Sequence, residues 1–146
     1  MPLIVVGADT RAGRAILEPH DPRRREVRVF VTDESVGNEL RSRGFKVAVG
    51  DVSDESHVEA ASTRCFSAVL IAQAATDSRE RSFAVGSDQV LNGWASAVAN
   101  SKVKRVIWVT GDEPPETDVA EVAVVSPDSP DLAKEVTDLD DIASLG

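Results

Sequence analysis

Few residues in this 146-residue sequence have the types and spacing that chemistry needs. The clearest are two glycines six apart, in Gly7-Ala8-Asp9-Thr10-Arg11-Ala12-Gly13, directly after the apolar run Leu3-Ile4-Val5-Val6. The first glycine permits a tight turn at a strand end, and the second lets the next helix pack closely on a sheet. A helix opening there offers free N–H groups and positive dipole to a pyrophosphate. Asp33 follows a second apolar run, where a carboxylate accepts from ribose hydroxyls or caps the next helix.

Acid–base candidates are sparse. There is no tyrosine, which removes every mechanism that needs a phenolic acid. His20 lies among Pro19, Asp21 and Pro22, and His57 lies among charges; both read as structural or solvated. Cys65, beside Phe66, reads as a small core residue with no histidine near in sequence to activate it. Asp138, Asp140 and Asp141 lack the loop glycine and following glutamate of a calcium site, so no metal site is expected. Arg23-Arg24-Arg25 reads as a loop. A single cysteine excludes an internal disulfide framework and a cysteine-cluster metal site.

These residues need a scaffold, and the hydrophobic pattern supplies one. Apolar strand-like runs at 3–6, 27–31, 46–49, 67–72, 103–109 and 119–125 alternate with helical stretches near 11–18, 35–43, 54–63, 84–101 and 132–145. Pro19 and Pro22 stop the first helix, and Gly44 sits where the second should end. Fully apolar strands alternating with helices mean a parallel sheet covered on both faces. The expected architecture is a Rossmann-like three-layer α/β/α domain over 1–146. Its sheet has five or six strands in the order 3-2-1-4-5-6, with ligands at the carboxyl edge.

Charge is unevenly placed. Residues 1–110 carry 15 Lys and Arg against 14 Asp and Glu, and residues 111–146 carry one Lys against 11 acids. Without a cluster of unpaired basic charge, a nucleic-acid partner is not expected. The longest apolar runs are five or six residues, too short to span a bilayer, and no signal-peptide pattern opens the chain. The default expectation is a reduced, cytoplasmic protein without a membrane partner. Segment 111–146 is expected to close the fold through Val119, Val122, Val124, Val125, Leu132, Val136, Leu139, Ile142 and Leu145, with its acids facing water.

Taken together, LIVVGADTRAGRAIL, VRVFVTDES, LRSRGFKVAVGDVSD, FSAVLIAQA and NSKVKRVIWVTG resemble the atypical short-chain dehydrogenase/reductases of the NmrA-like, NAD(P)-binding type. The resemblance covers about residues 3–111; TDLDDIASL is a weaker echo of the family's late helix. It implies a set of cofactor-binding positions. Gly7, Ala8, Asp9, Thr10, Arg11, Ala12 and Gly13 would line the phosphates. Thr32 and Asp33 would sit at the adenosine ribose, and Asp51 and Val52 at the adenine. Ala72, Gln73 and Ala74 would lead toward the nicotinamide ribose, and Thr110 would take the family's serine position.

The departures from the pattern matter. Thr10 replaces the middle glycine, so its Cβ should push the phosphate outward or force a left-handed backbone. On that reading Thr10→Gly strengthens binding. Asp9 adds a carboxylate beside the expected phosphates. Thr32 replaces the arginine that would grip a 2′-phosphate, and two acids follow it, which favours NAD over NADP with Arg11 as the counter-argument.

The wider family's Tyr-x-x-x-Lys pair is missing, no replacement acid–base pair is visible, and no catalytic residue is assigned. The expected function is a non-catalytic dinucleotide binder or sensor. The alternatives are a small NAD(P)-dependent oxidoreductase or epimerase-like enzyme completed by a partner, and a protein-interaction module that has lost the cofactor. A homodimer is expected from Trp94 on the long helix, which in the resembled family often lies at the dimer face.

Overall fold

The computed structural model describes residues 2–145. In chain order the elements are β1 (Leu3–Val6), α1 (Arg11–Leu17), β2 (Val27–Val31), α2 (Glu34–Ser42), β3 (Lys46–Val49) and α3 (Glu55–Ala61). They continue as β4 (Ser67–Ile71), α4 (Gln73–Thr76), α5 (Ser87–Asn100), β5 (Arg105–Val109), β6 (Glu121–Val125) and α6 (Leu132–Asp141). All six strands form one parallel sheet in the order β3-β2-β1-β4-β5-β6. This is the expected Rossmann-like order, and the switch point falls between β1 and β4.

Alternation along each strand divides the core in two. Leu3, Val5, Val29, Val31, Val69, Ile71 and Ile107 face α1, α2 and α6. Ile4, Val6, Phe30, Ala68, Leu70 and Trp108 face α3 and α5. β1, β4 and β5 are buried throughout, as central parallel strands covered on both faces must be.

Three features differ from the sequence-based expectation. A short helix, α4, follows β4; four residues are too few to leave a periodic signal. The long helix starts at Ser87, and residues 77–86 before it form an irregular strap over the sheet's carboxyl edge. Trp94 is fully buried and its Nε1 donates to the Val52 carbonyl at 2.8 Å, so it belongs to its own subunit's core and is not exposed for a dimer face.

The acidic end is ordered by arginines from the first part of the chain. Arg105, fully buried at the start of β5, donates to Glu121 and to the carbonyls of Leu139, Asp140, Ile142 and Ala143. It thereby satisfies the free carbonyls at the end of α6. Arg25 pairs with Asp140 and, at 2.6 Å, with Asp141. Asp140 is buried rather than facing water, because Arg25 meets it there. On the other face of β6, Val122 and Val124 are 43% and 53% exposed, since no helix lies between β5 and β6 to cover them.

Candidate functional site

The glycine turn is built as the sequence suggests. Gly7 leaves β1 at φ +89°, a conformation that L side chains rarely adopt. A Cβ on Gly13 would stand 2.5 Å from the Gly7 carbonyl and 2.6 Å from the Ala8 Cα. Helix α1 therefore approaches the turn as closely as backbone allows. Ala8 and Ala74 are fully buried around it.

Of the two outcomes expected at Thr10, the left-handed backbone does not occur. Its backbone is extended, at φ −89° and ψ 167°, which threonine adopts readily. Its hydroxyl donates to the Gly7 carbonyl at 2.7 Å and accepts from the Gly13 N–H at 3.0 Å. Thr10 is the cap of α1, so one N–H of the helix start is satisfied internally.

Asp9 points away from the helix start, toward the end of β2. Its Oδ2 accepts from the backbone N–H groups of Thr32 at 2.9 Å and Asp33 at 3.1 Å. Arg79, from the strap, donates to the Asp9 Oδ1 at 2.8 Å and the Thr32 hydroxyl at 3.2 Å. The Asp9 side chain is only 4% exposed and that of Arg79 11%. Arg79 also grips both carboxylate oxygens of Asp77, each at 2.8 Å, and Arg81 donates to Asp77 at 3.2 Å. Burial raises the Asp77 pKa, but the hydrogen bonds and charge of Arg79 outweigh it and hold the carboxyl below its usual range.

The remaining adenosine-side candidates are also engaged. The Asp33 carboxylate caps α2, accepting from the N–H groups of Ser35 at 2.9 Å and Val36 at 3.3 Å. The Ser35 hydroxyl and those two amides hold its pKa down. Asp51 accepts from the Ser53 N–H at 2.8 Å and hydroxyl at 2.5 Å, and from the Ser82 N–H at 2.7 Å. Burial raises the Asp51 pKa, and these bonds more than reverse the effect. The Phe83 N–H donates to the Ser53 hydroxyl at 3.0 Å. The strap is thus tied down at both ends, to Asp9 and to Asp51. Val52 lies wholly in the core.

The other half of the edge is open. A cleft of about 720 Å³ lies between α1, the ends of β4 and β5, and the segment entering α6. Arg11, Ala12, Ala72, Gln73 and Thr110 from the expected set line it, together with Asp112 and Asp128. The structure therefore divides the expected residues into a cleft-lining group, a buried group at the turn, and an internally bonded group at β2 and β3.

Both histidines and the cysteine lie outside the cleft, and the ionisable groups of its lining are Arg11, Asp112 and Asp128. His20 shares a hydrogen bond with the Ile16 carbonyl at 2.9 Å, and His57 packs edge-on against Phe30 at 4.9 Å. Cys65 is buried, which pushes its thiol up to about 11. No three His, Cys, Asp or Glu among the described residues could hold a metal ion together. No helix among them is long and apolar enough to cross a membrane.

Sequence reasoning passed over Asp77, Arg79, Arg81 and Ser82. The signal was present in the dense charges of Asp77-Ser78-Arg79-Glu80-Arg81, set between a strand and a helix with no apolar rhythm.

A parallel sheet with this order and a close-packed glycine turn defines a Rossmann-type nucleotide-binding domain. The family model described as NAD(P)H-binding matches residues 7–130, and the chain belongs to that family. Solved structures share the fold. An anaerobillin reductase from Escherichia coli aligns at TM-score 0.58 and 22% identity, covering 75% of this chain and 50% of its own. A Citrobacter triphenylmethane reductase complexed with NADP(H) aligns at 0.60 and 13%, covering 75% and 37%. A nucleoside-diphosphate-sugar epimerase from Staphylococcus aureus aligns at 0.58 and 18%, again covering 75% and 37%. The chain thus spans half or less of these proteins' length. No curated protein matches it in sequence.

Proposed function

We propose that this chain is a non-catalytic NAD(P)(H)-binding protein of the NmrA-like branch of the atypical short-chain dehydrogenase/reductases, acting as a dinucleotide binder or sensor. The pyrophosphate would lie over the turn from Gly7 to Gly13, and the nicotinamide end would enter the cleft beside Gln73 and Thr110. The observation that carries this reading is the cleft itself. It opens at the carboxyl edge by the switch point, beside the glycine turn, and the ionisable groups of its lining are Arg11, Asp112 and Asp128.

The test is calorimetric titration with NADH and NADPH side by side. Binding is expected at roughly micromolar strength, because the strap must shift before the adenosine can seat. Absence of heat at millimolar concentration of either cofactor rejects the reading and favours a scaffold that serves protein interaction alone.

A second reading, an NAD(P)-dependent oxidoreductase or epimerase-like enzyme completed by a partner, rests on a specific observation. The neighbours of this fold include a reductase and an epimerase of at least twice the aligned length. Hydride transfer from bound cofactor to a quinone or carbonyl acceptor would establish it.

A further inference from the structure

We propose that the free edge of β6 is a docking site for an extended, basic segment of a partner protein, which adds to the sheet as a further strand beside Val122 and Val124. This inference goes beyond dinucleotide binding and does not depend on it.

The sheet ends in two strands of different kinds. At one end is β3, whose side chains are packed on both faces. Val47 and Val49 pack against the core under α2, and Ala48 against the core under α3. Its first residue, Lys46, pairs with Glu26 at 2.8 Å. At the other end is β6, which is covered on one face only. Val125 packs with Leu132 and Val136 of α6, while Val122 and Val124 are 43% and 53% exposed on the opposite face. Glu121 is the only charge in β6, and it is turned inward to Arg105 and the Leu145 N–H. Exposed charges and covered faces keep edge strands from pairing with other chains, and the outer side of β6 has neither.

The backbone is free there as well. The Glu121 N–H donates to the Lys104 carbonyl, and the Val125 carbonyl accepts from the Thr110 N–H, so the odd-numbered residues of β6 bond toward β5. In a parallel strand the intervening residues turn both backbone groups the other way. The N–H and C=O of Val122 and Val124 therefore point out of the sheet, where no further strand lies. Such outward donors and acceptors are the template on which another extended chain adds.

Charge sets the partner's chemistry. Trp108, the register partner of Val124, donates through Nε1 to the Thr117 hydroxyl at 3.1 Å, so the crossover into β6 runs beside the valines. Glu116 and Asp118, on either side of Thr117, are exposed and have no ion-pair partner among the described residues. On the opposite face Asp131 and Glu135 are exposed at the start of α6. The only basic residue of 111–146, Lys134, is already paired with Asp138 at 2.7 Å. A second copy of this chain brings the same acids to the same edge, and like charge opposes it. A strand that alternates apolar and basic side chains suits both faces. Its apolar side chains cover Val122 and Val124, and its Lys or Arg side chains lie on the acidic α6 side.

The experiment titrates the isotope-labelled full chain with the capped peptide Lys-Val-Lys-Val-Lys-Val-Lys and with its counterpart carrying Glu for Lys. The basic peptide should bind. The Val122 and Val124 amides should shift and gain protection from hydrogen exchange, while the Ala123 amide, which faces β5, changes little. The acidic peptide should bind at least roughly tenfold more weakly, the scale of like-charge contact at an interface. Val122→Thr/Val124→Thr keeps branched side chains at both positions and should weaken the basic peptide by roughly tenfold, the scale of two half-exposed valines left uncovered. Val124→Pro removes an outward donor and no bond to β5, a change that edge strands tolerate, and should abolish binding. No binding of the basic peptide at millimolar concentration, equal binding of the two peptides, or shifts centred away from β6 overturns the proposal. So does a protein that sediments as a dimer with its Val122 and Val124 amides already protected, because a second copy then holds the edge.

Discussion

The carboxyl edge of the sheet has two ends that treat their polar groups in opposite ways. At the β2–β3 end, Asp9, Asp33, Asp51, Thr32 and Arg79 all bond within the chain, and the strap reaches Asp9, Thr32 and Asp51. At the β4–β6 end, Arg11, Gln73 and Asp128 line an open cleft, behind which Arg105 ties down the end of α6. One end is closed by ion pairs that a ligand must displace. The other is open, and the helix whose start borders it, α6, is anchored at its far end by the buried Arg105. The difference shows that positions which the resemblance assigns to a ligand can have their polar groups bonded within the chain, as Asp9 is by Thr32, Asp33 and Arg79 and Asp33 is in capping α2.

The largest effect should come from the anchor of α6, the helix whose start borders the open end. Arg105→Met keeps an apolar stem but leaves the carbonyls of Leu139, Asp140, Ile142 and Ala143 without their donor. Unsatisfied buried groups cost about 1–3 kcal/mol each at full burial, and partial hydration of these carbonyls brings the expected total to about 2–4 kcal/mol. Urea unfolding should show it as a lower midpoint at unchanged slope. An unchanged midpoint would mean that α6 docks through Leu132 and Val136 alone.

Next comes the turn that both ends share. Gly13→Ala puts a Cβ 2.5 Å from the Gly7 carbonyl and 2.8 Å from the Ala8 carbonyl carbon, so backbone must move. A loss of about 1–3 kcal/mol is expected from overpacking at a site that cannot give. Thermal unfolding reads the stability, and cofactor titration should show a weaker complex, since the same shift opens the phosphate turn. Full stability with normal binding would show that the close approach is not needed.

Much of this was legible in the sequence. Fully apolar strands with helices between them specify the parallel sheet, and the glycine spacing specifies where its ligand edge turns. The bounds of β2 and β3 fall at 27–31 and 46–49 as the alternation indicates. The state of the site was less legible, because it depends on contacts remote in sequence. Asp9 meets Arg79 across 70 positions, and Asp51 meets Ser82 across 31. Periodicity says nothing of such pairs. At Thr10 one of the two expected outcomes is corrected: the backbone does not enter the left-handed region, and the side chain became a cap.

That cap gives the third prediction. Thr10→Ala removes the hydroxyl that bonds both Gly7 and Gly13, at a cost of about 1 kcal/mol, typical of a lost cap. Thr10→Gly should cost only a few tenths. Neither should tighten cofactor binding, because Thr10 is only 4% exposed and its hydroxyl is bonded inward, away from an arriving phosphate. If Thr10→Gly binds NADH about tenfold more tightly, the steric view of this position is restored and the cap is incidental.

The smallest effect separates the two ends by pH. Asp77 and Asp51 both have folded pKa values below the ordinary 3.8, so their bonds to the strap contribute full stability above that value. That stability is lost as pH falls through the lowered values, where protonation removes the charge that Arg79 and the Ser82 amide bind. The strap should therefore loosen in acid while the carboxyl ends of β4, β5 and β6, joined by backbone bonds such as Thr110 N–H to the Val125 carbonyl and Ala72 N–H to the Val109 carbonyl, each at 3.0 Å, stay in place. Amide resonances of Ser82 and Phe83 should titrate below pH 3.8, ahead of those of Ala72 and Thr110. Because the strap carries few buried apolar groups, its release should leave the global unfolding transition nearly unshifted. Ser82 and Thr110 amides moving together at one pH would mean that the edge opens as a unit, and that the closed and open ends are one cooperative structure.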